Sequence, residues 1–168
     1  MARGAGSISL LIDSPLRDLA LAMRAVPTDV KKEIGSQTKK AGKPIWFEET
    51  RGRAATRIQQ RVLVNSADVS VTARNITFKA GGKGRLSSGT EVPRLARSAE
   101  FGMNPGKQIA SKSKKGKAYT RSAGNAFGPN RRAGNVAYPA AREAIPRVAS
   151  LWVQTARRSI HEAIEEVS

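Results

Sequence analysis

The stretch AIPRVASLWVQTARRSIHEAI, residues 144–164, decides the class of fold, because its apolar residues recur every three or four positions. That spacing places them along one side of an α-helix. The apolar stripe consists of Ile145, Val148, Trp152, Ala156, Ile160 and Ile164. We therefore predict a C-terminal amphipathic helix over residues 140–166, with this stripe packed against the core or a neighbouring subunit.

The N-terminal part of the chain predicts a strand followed by a long, broken helix. Residues 7–13 (SISLLID) alternate in the manner of a short strand with one buried face. Helical spacing then extends over residues 14–52, with an interruption expected at Pro27 and a kink or a new turn expected at Pro44, since proline lacks the backbone donor that a helix interior needs.

From residue 57 the period of the apolar residues changes to two. The segment RIQQRVLVNSADVSVTARNITFKA, residues 57–80, is rich in β-branched residues and contains turn-forming residues between its apolar runs. It predicts an antiparallel meander of two or three strands. The following segment 91–103 predicts a short helical turn and then a strand that ends at Phe101-Gly102.

These elements together predict an α+β fold, and the length of 168 residues is that of one domain with a single core. The exception is the segment 104–135. It is rich in Gly, Ser, Ala, Asn and basic residues, so it buries too little apolar surface to offset the entropy of ordering. We expect it to be a mobile basic loop within the domain.

The positive charge is concentrated in the middle of the chain. The net charge is +17, and residues 51–135 hold 18 Lys and Arg against 3 Asp and Glu, whereas both ends are close to neutral. A field of one sign attracts polyanions or acidic protein surfaces. The candidate partner- or DNA-contacting residues of the loop are Lys107, Lys112, Lys114, Lys115, Lys117, Arg121, Arg131 and Arg132.

No pattern in the sequence predicts catalysis, a cofactor or a metal site. His161 and Glu165 have the spacing of two ligands on one helix face, but the chain contains no other histidine and no cysteine to complete a site. The adjacent Glu48 and Glu49 cannot face each other on a helix. Residues 81–85 (GGKGR) are basic and Gly-rich, yet they lack the spacing of a phosphate-binding loop, and we interpret them as a turn.

No run of 18 apolar residues and no secretory leader is evident, so a membrane partner is not expected.

Two functions remain open. The first is a stand-alone basic nucleic-acid-binding protein, although Tyr119 and Phe127 are the loop's only aromatic residues for base stacking. The second is a subunit of a larger assembly, whose basic loop becomes ordered against a neighbour.

Three short motifs resemble the head–tail joining proteins of long-tailed bacteriophages, also called neck, tail-completion or minor tail proteins. They are AGKP at 41–44, AEFG at 99–102 and YPAAR at 138–142. The order of strand, long helix, meander, variable loop and C-terminal helix is also similar to theirs. The residues that carry the likeness are Glu100, Phe101, Gly102, Tyr138, Pro139 and Arg142.

The resemblance implies a non-enzymatic structural protein of the virion, made in the cytoplasm of the bacterial host. Such subunits form a homo-oligomeric ring, commonly six-fold, at the junction of head and tail. The implied partners are other copies of the chain, the adjacent neck, connector and tail proteins, and the double-stranded DNA that passes through the ring.

Overall fold

The predicted α+β class is confirmed by a computed structural model that describes residues 7–9, 23–72, 75–113 and 115–165. Its contacts divide into two compact units. Among the described residues, the helix–sheet unit is drawn from Ser7–Glu49, Asp68–Lys79 and residues 141–165. The hairpin unit contains Thr50–Ala67 and Ala80–Ala140.

Among the described residues, the sheet of the helix–sheet unit has three antiparallel strands, with the third in chain order lying between the other two. They are β1 (Ser7–Ser9), β2 (Asp68–Val71) and β3 (Ile76–Lys79). The central strand β3 buries Ile76 and Phe78 completely, as the period-two pattern predicts. The meander therefore exists, with two strands, and β1 pairs along the other side of β3.

Helix α1 spans Thr28–Arg53 and continues through Pro44. No new helix begins at this proline, so that alternative is wrong, whereas the predicted kink remains a prediction; the missing N–H costs the helix one hydrogen bond. Trp46 of α1 is buried, donates from Nε1 to the carbonyl of Lys79 at 3.0 Å, and lies 4.9 Å from the ring of Phe78. These contacts pack α1 against the sheet.

The C-terminal helix α4 spans Ala137–Glu165, close to the predicted limits. Val148, Trp152 and Ala156 of its stripe are buried, whereas Ile145 and Ile160 are half-buried. Ile164, the last member, is 60% exposed, so the stripe stops being buried before the helix ends.

At the start of the hairpin unit, the structure differs from the sequence-based prediction. Residues 57–64, predicted as the first strand of the meander, form a single helical turn, α2 (Arg57–Gln59), that runs into a π-helix at Gln60–Val64. The unit also contains α3 (Val92–Phe101), β4 (Gln108–Lys112) and β5 (Ala118–Ser122). Glu100 and Phe101 therefore end a helix, and the predicted strand there is wrong.

The segment 104–135, predicted as a loop, contains regular structure, because β4 and β5 pair within it as an antiparallel hairpin. Its mobility remains a prediction, which the proteolysis experiment described below tests. The first segment of the predicted helix, from residue 14 to the interruption at Pro27, lies mostly outside the described residues, and Met23, within that segment, lies buried in a turn. Residues 10–13 of the predicted first strand are also outside the described part.

Candidate partner interface on the basic hairpin

The hairpin of β4 and β5 places a two-stranded ribbon in the most basic part of the sequence. Its register pairs Ile109 with Arg121 and Ser111 with Tyr119, so these four residues share one face. Arg121 donates from Nε to Ser111 Oγ at 3.3 Å across that face. Every residue of β5 is exposed, so this strand contributes nothing to the buried core.

The tip of the hairpin is a short basic turn. The Lys117 carbonyl accepts from the N–H of Ser113 at 2.9 Å, and Ser113 Oγ accepts from the N–H of Lys117 at 3.1 Å. Gly116 has a φ of +82°, a backbone conformation that side chains rarely adopt. A glycine is therefore favoured here for the turn that joins the two strands.

The hairpin carries positive charge with no carboxylate to balance it. Residues 107–121 contain six Lys and Arg and no Asp or Glu. Lys107, Lys115, Lys117 and Arg121 are exposed, and Tyr119 is 47% exposed beside them. The side chain of Lys112 and the whole of Lys114 lie outside the described part of the chain. The exposed cations are suited to an acidic partner.

The buried side-chain amide of Gln59 connects the base of the hairpin to the rest of the hairpin unit. Phe127, which follows β5, is buried, and its carbonyl accepts from Gln59 Nε2 at 3.3 Å. The same nitrogen donates to the carbonyl of Ala99 at 3.2 Å, while Gln59 Oε1 accepts from the N–H groups of Ala55 and Thr56. Because all four hydrogen-bonding positions of this amide are used, it can be buried at little cost.

A second tie joins the end of α3 to the start of α4. The carboxylate of Glu100, which is 4% exposed, accepts from the backbone N–H groups of Val136, Ala137 and Tyr138 at 3.4, 2.7 and 3.0 Å. These are donors that a helix N-terminus leaves without internal partners. The negative charge is also favoured by the positive end of the helix dipole. Glu100 is therefore a structural cap rather than an exposed binding residue.

Two glycines allow the backbone to come this close. Gly102 and Gly134 have φ values of +76° and +80°. A Cβ on Gly102 would lie 2.0 Å from the carbonyl oxygen of Pro129, and one on Gly134 would lie 2.2 Å from Glu100 Oε1. Both positions thus require glycine for space as well as for conformation.

Four of the six residues that carry the family resemblance lie together at this cap. The rings of Phe101 and Tyr138 lie 5.5 Å apart, and Tyr138 is 43% exposed. Pro139 occupies the first turn of α4, where its missing N–H has no helical partner to lose. Arg142 is exposed one turn further along. The structure therefore brings Glu100, Phe101, Gly102 and Tyr138 together, which their separation in the sequence did not reveal.

Arg131 and Arg132 lie exposed in the segment that returns from the hairpin to α4. The N–H of Arg131 donates to the carbonyl of Phe101 at 2.9 Å, and that of Asn135 donates to the carbonyl of Glu100 at 2.7 Å. The backbone of this return segment is thus held in place while its two guanidinium groups face solvent.

Sequence reasoning missed the hairpin itself and the role of Gln59. The hairpin had a recognisable signal, because the runs QIASK and AYTRS flank a Gly-containing turn. Gln59 had a weaker one: Thr56 and Gln59 form a capping box, with the spacing of a helix start. That spacing argued for a helix at the place where β-branched residues suggested a strand.

Neither a metal site nor a membrane-spanning helix is found among the described residues. They contain no group of three His, Asp or Glu side chains placed to hold a metal ion. His161 Nε2 lies 3.3 Å from Glu165 Oε1 as an exposed pair along α4. No helix in the described ranges has the length and apolar character to cross a bilayer.

Comparisons of the chain with protein-family models, with curated proteins and with solved structures found no match.

Proposed function

We propose that this protein is a structural subunit of a phage virion that joins the head to the tail. Copies of the chain form a ring around the DNA passage, and the basic hairpin docks on an acidic surface of a neighbouring ring. The observation that carries the proposal is the hairpin, an exposed two-stranded ribbon with six Lys and Arg and no acid, held on an anchored base.

The hairpin is suited to a partner because it has little stability of its own. A two-stranded ribbon without a buried face is marginal in water, and among the described side chains of β4 only Ile109 and Ser111 are half-buried. A partner that covers the ribbon removes apolar and backbone groups from water. The anchored base limits the entropy cost of docking, because the ends of the hairpin are already held in place.

Charge favours an acidic partner of one of two kinds. A two-stranded ribbon also fits the major groove of DNA, so duplex DNA is the second candidate partner and a stand-alone nucleic-acid-binding protein the alternative function. We favour the protein ring, because a tight hold on phosphates inside the passage would slow the movement of DNA during ejection. The proposed role is structural and involves no catalytic activity and no cofactor.

The test uses two variants that remove the same amount of charge. Lys115, Lys117 and Arg121 are changed to Gln in the hairpin variant, and Lys32, Lys39 and Lys40 are changed to Gln in the control, since all six side chains are exposed. We expect both variants to fold and form rings, measured by native mass spectrometry. Only the hairpin variant should fail to join purified heads to tails.

Duplex binding at several salt concentrations separates the two partners. If the hairpin grips DNA, the log–log slope of affinity against salt should fall by about three units in the hairpin variant, one for each phosphate that the removed cations would have neutralised. The proposal is rejected if the wild-type chain stays monomeric and binds duplex DNA tightly. Normal joining by the hairpin variant would reject the docking role of the hairpin.

A further inference from the structure

A second basic feature of the hairpin unit lies away from the hairpin residues, in a cavity of about 340 Å³. Its walls come from the end of the π-helix, the loop after β3 and the start of α3. The lining residues include Arg61, Asn65, Lys83, Gly84, Arg85 and Ser87. The volume lies at the small end of the range for ligand pockets.

The polar lining of this cavity suits an anion. Three of its side chains are cationic, Arg61, Lys83 and Arg85, and none of the lining residues that the structure describes carries a carboxylate. Asn65 and Ser87 add an amide and a hydroxyl that can donate hydrogen bonds. Guanidinium groups bind phosphate oxygens through two parallel hydrogen bonds, and lysine binds them as a point charge.

The cavity is held in shape by contacts behind its surface. Ser66 Oγ donates to the carbonyl of Val62 and accepts from the N–H of Gly81, each at 2.6 Å, so the π-helix and the loop are tied together. A Cβ on Gly81 would lie 2.5 Å from the Cβ of Ala96, so the loop also lies directly against α3. The N–H of Val92 donates to the carbonyl of Gly84 at 3.0 Å.

Arg85 is oriented by Glu91 rather than neutralised by it. Glu91 accepts from Arg85 Nη2 at 3.0 Å through one carboxylate oxygen, and its other oxygen lies 3.1 Å from Arg94 Nε. One carboxylate thus faces two guanidinium groups, and an excess of positive charge remains. π-Helical turns, such as the one that supplies Arg61, are also frequent at functional sites.

We propose that this cavity binds a phosphoryl group. Arg61, Lys83 and Arg85 supply the charge, and Asn65 and Ser87 supply neutral donors. The group could belong to a free phosphate or phosphate monoester, or to the backbone of a polynucleotide, since all present the same anionic oxygens. This inference concerns residues outside the hairpin and does not rest on the joining function.

The first test titrates the full-length chain with inorganic phosphate at constant ionic strength, with chloride as the exchanged ion. The readout is the amide NMR shift of Gly84 and Ser87. We expect saturable shifts with phosphate and none with chloride alone. The double variant Arg61→Gln, Lys83→Gln should weaken binding by at least about tenfold, since it removes two charge-assisted contacts.

The matched control is Arg57→Gln, Arg97→Gln, which removes the same charge from exposed positions of the same unit outside the cavity. It should bind phosphate within about twofold of the wild type, because neither side chain lines the cavity. The swap Arg61→Lys, Lys83→Arg keeps the charge and should retain saturable binding. Because this variant is changed at the same two positions, its binding would show that substitution there does not by itself prevent folding.

A short duplex without terminal phosphates identifies the source of the group. Shifts of Gly84 and Ser87 with the duplex, abolished in the Arg61/Lys83 double Gln variant, would assign the cavity to a polynucleotide backbone. Shifts with inorganic phosphate alone would assign it to free phosphate or a monoester. The proposal is overturned if neither ligand produces saturable shifts, or if binding weakens as much in the control variant as in the cavity variant.

Discussion

The carboxylate of Glu100, near the end of α3, accepts a 2.7 Å hydrogen bond from the backbone N–H of Ala137, the first residue of α4. One side chain thereby connects the end of one helix to the beginning of another, 37 residues away in the sequence. The whole hairpin segment lies between these two residues, so this contact closes the loop that presents it.

Replacing Glu100 by Ala should lower the free energy of unfolding by about 1–3 kcal/mol, because buried N–H groups at the start of α4 would then have no acceptor. Urea unfolding of the variant and the wild type measures this cost. The control Glu143→Gln changes an exposed carboxylate of the same helix and should be close to neutral. Equal stability of the Glu100→Ala variant would contradict the capping role.

Adding a methyl group at Gly102 or Gly134 should destabilise the protein by more than about 1 kcal/mol, since each has positive φ and no room for a Cβ. The control is Gly35→Ala in α1, where nothing lies within 4 Å of the added Cβ. That change should stabilise the helix by roughly 0.5–1 kcal/mol. If the melting temperatures of all three variants shift in the same direction, positive φ and lack of space are not what makes glycine necessary at Gly102 and Gly134.

The change Gln59→Glu should cost at least about 2 kcal/mol, because it replaces a nitrogen that donates to two buried carbonyls with an oxygen that repels them. Gln154→Glu, an exposed position on α4, is the isosteric control and should have little effect. The two are compared by chemical denaturation. A neutral Gln59→Glu change would mean that this amide does not anchor the base of the hairpin.

Trp152→Ala should lower the free energy of unfolding by about 3–5 kcal/mol, the usual cost of emptying a large buried aromatic site. Trp152 is 1% exposed, whereas Ile164 on the same helix is 60% exposed. Ile164→Ala should therefore leave the melting temperature nearly unchanged. Similar destabilisation of both variants would show that Ile164 is as deeply buried as Trp152.

Trypsin should cut the isolated subunit first at Lys115 or Lys117, in the exposed turn of the hairpin. Mass spectrometry of early fragments identifies the bond. Arg131 is the internal comparison, because it is exposed but its backbone N–H is bonded to the carbonyl of Phe101. Cleavage at Arg131 before the tip would mean that the return segment is less firmly held than the ribbon.

The α+β class, the strand β3 and the C-terminal helix could be predicted from the sequence because their patterns are local. Ile76 and Phe78 alternate with polar neighbours, and Val148, Trp152 and Ala156 recur at helical spacing, so each element shows in its own residues which face is buried. The concentration of charge near the hairpin is equally a property of the sequence. No distant partner is needed to detect these features.

The π-helix, the end of α3 and the arrangement of the cap required the tertiary structure, because distant groups decide them. Val62, Leu63 and Val64 are all buried, and such a short apolar run is compatible with either a strand or a helix. Gln59 just before it bonds to carbonyls 40 and 68 residues away, and Glu100 bonds to N–H groups 36 to 38 residues away. A buried polar group is stable only with its partners, and folding alone brings those partners together.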